Sequence, residues 1–357
     1  MSTSKIDTVR IQVRQGYDVH IGPHLLAESG KICARLGMKK AVIVTDSTVA
    51  ALHLPALEQS LAKAGIESDS FVFPAGEKSK NMRTLSDVLE FLADRQLTRA
   101  DFVIALGGGV TGDMAGFAGA CYLRGVRYVQ VPTTLLAAVD SSVGGKTAVD
   151  LAHGKNLAGA FKQPETVICD TDCIATLPAE IFSDGAAEVI KTAVLSDESL
   201  FALCENGGVR ENLQQVIRRC VAYKGRVVAE DEFEKSIRKL LNLGHTVGHA
   251  IEKCSGYSIP HGRAVASGMG IIARFAARNG LCTAETCHRI ENALTSVGLP
   301  TGTEFGAEEL YNAALADKKR AGGEITLILP RAIGNCELVK VPVEQMLPII
   351  ASGLEEL

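Results

Sequence analysis

Residues 238–262 read RKLLNLGHTVGHAIEKCSGYSIPHG and hold three of the chain's 8 histidines. His245 and His249 stand four apart within a pattern of Leu240, Leu241, Leu243, Val247 and Ile251. That spacing puts both rings on one helix face. His261 follows a Gly/Ser/Pro turn that can fold it back beside that face. Neutral imidazole is a common zinc ligand, and a catalytic zinc typically takes three protein ligands and leaves one position open. Taken alone, an i,i+4 histidine pair is more often an accident of surface or core, so the site needs more from elsewhere in the chain. A zinc protease needs Glu directly after the first His; Thr246 stands there and argues against one.

Two other stretches could do chemistry. GGGVTGD (107–113) satisfies G-x-G-x-x-G through Gly107, Gly109 and Gly112, after a strand pattern and before a helical one. Such glycines let backbone N–H groups approach a pyrophosphate at a helix N-terminus. Arg127 stands where an acid for the ribose is usual; Asp46, ending an earlier strand, is the alternative. A tight turn without ligand is the competing explanation of the glycines. The second stretch, 138–161, carries Asp140, Gly144, Gly145, Lys146, Lys155 and Asn156. Converging N–H groups and an ammonium suit phosphate, but the Walker spacing is absent.

A chain of 357 residues exceeds one typical core, which predicts two domains. Hydrophobic content of 46% with 22% charged residues fits a soluble globular protein. The net charge of −4 points to no nucleic-acid or membrane partner. No apolar run approaches the ~20 residues of a membrane span. Residues 1–16 lack the apolar core of a secretory signal, so a cytoplasmic location is expected. The 10 cysteines include no C-x-x-C pair and read as reduced thiols. Cys169 with Cys173, or Cys282 with Cys287, completes no four-ligand metal set.

The elements that must position these residues follow from periodicity. Alternation at 8–14 and 17–21 predicts an opening β-hairpin. Apolar runs at 41–47, 71–73, 101–109, 127–136 and 166–171 alternate with helical patterns at 25–36, 49–64 and 81–96, which predicts a parallel sheet covered by helices. Beyond Leu177 and Pro178 helical patterns take over, at 179–205, 210–230, 236–254, 263–279, 284–296, 307–320 and from about 343. A small hairpin at 325–330 and 336–341 is the exception. The expectation is an α/β N-terminal domain, 1–177, with a Rossmann-like parallel sheet and a β-hairpin. A mainly α-helical C-terminal domain, 178–357, follows it.

Four motifs together resemble the 3-dehydroquinate synthases of the sugar-phosphate cyclase superfamily. They are GGGVTGD (107–113), VPTTLLAAVDSSVGGKTAVD (131–150) with GKNLAGAF (154–161), AAEVIK (186–191), and RKLLNLGHTVGHAIE (238–252) with HG (261–262). The resemblance runs from about 41 to 334, and the SSVGGKT and NLGHTVGHAIE stretches are its most specific parts. It implies zinc, or cobalt, on Glu188, His245 and His261. It implies acid–base roles for His249 and Glu234, with Lys146 as the further catalytic residue. Substrate would meet Arg124, Asp140, Lys146, Asn156, Lys191, Lys224, Arg238, Asn242, His249 and either Lys318 or Lys319. NAD would meet Asp46, Gly76, Glu77 and Lys80 of one turn, and Gly109, Val110, Thr111, Gly112 and Asp113 of another. Thr133, Thr134, Lys155, Cys173, Ile174, Ala175 and Thr176 would complete that site.

The implied reaction converts 3-deoxy-D-arabino-heptulosonate 7-phosphate to 3-dehydroquinate and phosphate. It proceeds through transient NAD oxidation, β-elimination, reduction and intramolecular aldol closure, in a family that suggests a homodimer. Arg263 stands where the family usually has Glu after HG, and Thr192 replaces a common aromatic. The rival readings are a cyclase using glucose 6-phosphate or sedoheptulose 7-phosphate, a metal-dependent polyol dehydrogenase, and an NAD-sensing or scaffold protein. Lys224 and Arg238 match the acid-substrate pattern and favour the heptulosonate.

Overall fold

The unbroken apolar runs at 41–45 and 102–106 form strands buried on both faces, as a parallel sheet requires. The computed structural model describes residues 6–318 and 323–357, apart from the side chains of 316–318. The chain divides into two units, one of Met1–Leu177 with Lys224–Phe233, the other of Pro178–Tyr223 with Glu234–Leu357. Among the described residues no helix is long and apolar enough to cross a membrane.

The first unit is built on a sheet of strands β1 (Asp7–Ile11), β2 (Tyr17–Gly22), β3 (Lys40–Asp46), β4 (Glu67–Phe73), β5 (Phe102–Gly107), β6 (Arg127–Pro132) and β9 (Thr166–Asp170). Their order is β1-β2-β9-β6-β5-β3-β4. The β1–β2 pair is the antiparallel hairpin, and the others run parallel. Helices α1 (Leu25–Arg35), α2 (Ser47–Lys63), α3 (Met82–Asp94), α4 (Gly109–Cys121) and α5 (Thr171–Ala175) fill the connections. Successive strand residues serve opposite faces. Ile43, Ile104 and Val129 pack with Leu25 of α1 and Leu57 and Leu61 of α2. Val42, Val44, Val103 and Tyr128 pack with Val88 of α3 and Met114 and Ala118 of α4. Each Val, Leu, Ile or Met among them contributes roughly 1.5–3 kcal/mol when fully buried. From β3 the chain goes outward to the edge strand β4, then crosses back to place β5 on the other side of β3. The order therefore reverses between β3 and β5, and ligands of open α/β sheets bind at the carboxyl ends of such strands.

Residues 137–161 hold a π-helical turn (Ala137–Ser141) and an antiparallel hairpin, β7 (Lys146–Leu151) and β8 (Gly154–Phe161), with Gly144 and Gly145 between them. Thr147 and Val149 point inward with period 2, a pattern that the surrounding glycines disguise.

The second unit holds α6 (Ala179–Ser196), α7 (Glu198–Glu205), α8 (Leu213–Glu230, whose end from Lys224 belongs to the first unit), α9 (His245–Cys254) and α10 (His261–Arg278). It continues with α11 (Ala284–Ser296), α12 (Ala307–Lys318), the hairpin β10 (Glu324–Ala332) and β11 (Asn335–Pro342), and α13 (Met346–Leu354). The helix expected at 179–205 is broken at Asp197, whose extended backbone lets its carboxylate cap α7 at Leu200 N–H. The helix expected at 236–254 is also broken. Ile237–Asn242 forms a 3-10 turn, and Gly244 is left-handed, with φ 77°, so α9 starts at His245.

That break is enforced by packing. A Cβ on Gly268 of α10 would lie 2.1 Å from the carbonyl oxygen of Gly244, and one on Gly244 would lie 2.7 Å from that of Val265. Backbone meets backbone here, so α9 and α10 are held at a separation no side chain permits. Gly268→Ala is expected to force them apart at a cost of about 1–3 kcal/mol. Calorimetry should show a Tm several degrees lower; an unchanged Tm would mean the helices have room to spare.

Candidate metal centre and dinucleotide turn

Glu188 lies in the middle of α6, His245 is the first residue of α9, and His261 is the first residue of α10. The second unit brings all three together. Nε2 of His245 and Nε2 of His261 each lie 3.6 Å from Oε1 of Glu188. Two donors on one zinc, with bonds of about 2.0–2.1 Å in tetrahedral geometry, lie about 3.3–3.4 Å apart. The observed spacing is slightly longer than that, compatible with candidate ligands, and too long for hydrogen bonds.

The tautomers agree. Nδ1 of His245 lies 3.1 Å from the carbonyl oxygen of Leu243, which can only accept, so Nδ1 carries the proton and Nε2 the lone pair. Nδ1 of His261 lies 3.4 Å from Oε2 of Glu252, with the same consequence. Glu188 is 1% exposed and pairs with Lys191, also 1% exposed. Among the described residues neither oxygen of Glu188 has a well-formed hydrogen bond. Burying a carboxylate costs several kcal/mol unless it is compensated, and a divalent ion compensates it. The donor set of one carboxylate and two imidazoles suits catalytic zinc.

Burial works to raise the Glu188 pKa, but the Lys191 ammonium and the two imidazoles outweigh it and hold the carboxyl well below its ordinary range. Burial, then Lys191, lowers His245 to about 3. Burial would lower His261 too, but Glu188 and Glu252 outweigh it and raise that pKa to about 10. A cation entering the cluster must displace that proton. His249, Glu252 and His261 form a second group close enough for an ion. It shares His261, whose Nε2 is the atom near Glu188.

Other expected residues of the second unit gather nearby in sequence or space. The His249 ring centroid lies 5.4 Å from that of His245 and 6.0 Å from that of His261, and His249 is exposed. Asn242 donates to Oε1 of Glu234 at 2.8 Å, and Arg238 is buried in the 3-10 turn between them in sequence. Lys318 ends α12; its side chain, and all of Lys319, lie outside the described residues.

In the first unit Lys224 donates to Asp140 twice, to Oδ1 at 2.9 Å and to its carbonyl at 2.8 Å. Lys146 is exposed at the start of β7. Arg124 is exposed in a short 3-10 turn after α4, with left-handed backbone. Lys80 and Asn156, expected at different ligands, meet each other. The buried Lys80 ammonium donates to Oδ2 of Asp113 and to Oδ1 of Asn156, both at 2.5 Å. Burial opposes the Lys80 charge, but Asp113, with Glu77 and Asp150, holds its pKa above the ordinary value. Lys155 reaches Glu77 at 3.8 Å. The turn holding Gly76, Glu77 and Lys80 is thus tied to α4 at Asp113.

Gly108, the N-cap of α4, offers no side chain to the N–H groups of Gly109, Val110 and Thr111. A Cβ on Gly112 would lie 2.7 Å from Oε1 of Gln130, so α4 presses directly on β6. Among the described residues the buried hydroxyls of Thr45, Thr111 and Thr133 have no partner, and all three lie at the carboxyl ends of β3, β5 and β6 or just beyond them. Uncapped N–H groups beside unmatched hydroxyls suit a phosphate- and hydroxyl-rich ligand. Thr134 accepts from Ala137 N–H. Asp46 spends Oδ1 on capping α2, at Thr48 and Val49. Cys173 and Ile174 are buried in α5, with Ala175 and Thr176 exposed. Burial pushes the Cys173 thiol up to about 12, which keeps it a thiol.

Sequence patterns did not single out two residues at the centre. Glu252 stands seven after His245, two turns along one helix face, and Asp184 stands four before Glu188. Those spacings were the available signal. Asp184 Oδ1 accepts from Arg263 N–H at 3.1 Å, in the first turn of α10. The Arg263 guanidinium goes to the carbonyl of Gly298.

Residues 70–184 match the family described as 3-dehydroquinate synthase N-terminal, and residues 185–320 that described as 3-dehydroquinate synthase C-terminal. A 3-dehydroquinate synthase of Cereibacter sphaeroides is 44% identical over 345 residues, covering 92% of this chain and 93% of its own. One of Caulobacter vibrioides is 45% identical, covering 91% and 92%. A 2-deoxy-scyllo-inosose synthase complexed with carbaglucose-6-phosphate, NAD+ and Co2+ superposes with a TM-score of 0.87 at 26% identity, over 98% of this chain and 100% of its own. A 2-epi-5-epi-valiolone synthase of Streptomyces hygroscopicus, with NAD+ and Zn2+ bound, gives 0.86 at 28% identity, over 94% and 96%. An iron-containing alcohol dehydrogenase shares the fold alone, at 0.66 and 17%.

Glu188→Gln tests the centre. It should leave helical circular dichroism intact and cut the zinc retained against a moderate chelator to background. Zinc content equal to the parent's would remove Glu188 from the ligand set.

Proposed function

The chain belongs to the 3-dehydroquinate synthase family, and from that premise we propose which of its residues carry the reaction. The activity is the family's in the shikimate pathway, a phosphorus–oxygen lyase acting on a sugar phosphate. It converts 3-deoxy-D-arabino-heptulosonate 7-phosphate to 3-dehydroquinate and phosphate.

In this proposal Glu188, His245 and His261 hold zinc, with cobalt compatible with the same donors. The turns of residues 76–80 and 109–113 hold NAD. The observation that carries it is the pair of imidazole Nε2 atoms equidistant, at 3.6 Å, from one buried carboxylate oxygen. The structural relatives with NAD+ and Zn2+ or Co2+ support the same pairing. When bound, the ion supplies Lewis acidity toward a substrate hydroxyl and NAD supplies reversible hydride acceptance.

The chain's own side chains supply the rest. His249, exposed one turn beyond His245, exchanges a proton with the substrate. Glu234, bonded to Asn242, is the second acid–base group. Lys146, Lys191, Lys224, Arg238, Arg124 and either Lys318 or Lys319, with Asn156, hold the substrate's phosphate and carboxylate by charge-assisted hydrogen bonds. Asp140 orients Lys224 through the two contacts it accepts. The leaving phosphate takes the proton of β-elimination, and the lysines keep it in position. A homodimer and a cytoplasmic location belong to the same proposal; sedimentation and cell fractionation address them.

One assay separates this reading from a polyol dehydrogenase. With heptulosonate phosphate, zinc and catalytic NAD, phosphate should be released with no net gain of NADH. Accumulating NADH without phosphate would assign a dehydrogenase. Lys146→Ala should lower turnover by about 10²-fold or more while leaving zinc content at the parent's value. Full activity in that variant would contradict its role.

A further inference from the structure

The two histidines of the metal centre are not equivalent, and the difference lies behind them. His245 Nδ1 faces a neutral backbone carbonyl, that of Leu243. His261 Nδ1 faces a carboxylate, that of Glu252. Glu252 is 2% exposed, at the third turn of α9 and in the same unit as the cluster. A carboxylate is seldom buried unless it is matched by charge or hydrogen bonds. His261 thus has a buried carboxylate on each side, Glu252 at Nδ1 and Glu188 at Nε2.

We infer that Glu252 is a positioning residue for His261, fixing the ring's orientation and strengthening its Nε2 as a donor to the divalent ion. The inference rests on the metal reading above. A carboxylate hydrogen-bonded to the far nitrogen of a ligating histidine holds the tautomer that leaves Nε2 unprotonated and makes it a better donor. The α9 backbone carries both Glu252 and His245, so one helix supplies one ligand directly and orients another. Asp184 fixes the start of α10 through Arg263 N–H. That contact places the His261 backbone but does not set the direction of its ring. Glu252 acts on the ring itself.

The test uses the full-length chain, stripped of metal, as parent, Glu252→Gln, Glu252→Asp and Glu188→Gln. Zinc affinity is read by chelator competition, and cobalt spectra report the ligand field. Glu252→Gln is expected to bind zinc about 10–100-fold more weakly, with shifted cobalt bands and near-parental helical dichroism. Added zinc should restore part of its activity. Glu252→Asp, with the carboxylate withdrawn, should weaken binding by an intermediate factor. Parental affinity in Glu252→Gln overturns the proposal, as does weakened binding with unshifted cobalt bands. So does a parent that binds two ions of which Glu252→Gln loses one, because Glu252 is then itself a ligand. Failure of both position-252 variants to fold also overturns it, by assigning Glu252 to the fold. If the parent binds no zinc, or Glu188→Gln binds it as tightly, the metal reading itself fails.

Discussion

A buried carboxylate organises the second unit. Glu188 is buried in the middle of α6 beside the equally buried ammonium of Lys191, with two imidazoles at 3.6 Å. Charges so placed are tolerated only when they are matched from several directions. Matching Glu188 requires the first residues of α9 and α10 to reach the same point. That in turn requires α9 to begin at His245, which the left-handed Gly244 brings about. It also requires α10 to lie against α9 at backbone distance, which Gly268 permits. Gly244 and Gly268 therefore serve the electrostatics of one acid.

The first unit solves its recognition problem differently. Its candidate site uses the N–H groups of a glycine turn, three unmatched threonine hydroxyls and a lysine locked between Asp113 and Asn156. Polar backbone and fixed dipoles bind phosphates and hydroxyls without the cost of burying free charge. The strand-order reversal between β3 and β5 puts these groups together. The buried Lys80 is matched in place by Asp113 and also braces the turn of residues 76–80 against α4.

Much of this was legible in the sequence, where local periodicity is enough. The opening hairpin, the apolar parallel strands and most helices follow from repeats of 2 and 3.6 residues. Strand order was not legible, because the insertion of β9 between β2 and β6 is a long-range pairing with no local mark. The β7–β8 hairpin was hidden by its glycines and lysines. The breaks at Asp197 and Gly244 were hidden by apolar patterns that run on through them, although both residue types favour helix ends. The candidate histidines are marked by their spacing and the other site residues by motif resemblance, whereas Glu252 and Asp184, which meet the His261 ring and the first turn of its helix, sit outside the pattern of candidate ligands.

The departure at position 263 shows why such outer positions are hard to read. A Glu there is usual after the HG pair, and Arg reverses the charge next to a candidate ligand. Yet the backbone N–H of Arg263 makes the contact that matters locally, donating to Asp184, and any residue but proline supplies it. The side chain is spent elsewhere, on the carbonyl of Gly298. Meanwhile the carboxylate that meets the His261 ring comes from Glu252 on another helix. The charge of residue 263 is therefore weakly coupled to the ring beside it in sequence, because the ring is oriented by tertiary neighbours. Proximity along the chain is a poor guide to what tunes a buried ligand; the atom opposite its second nitrogen is a better one.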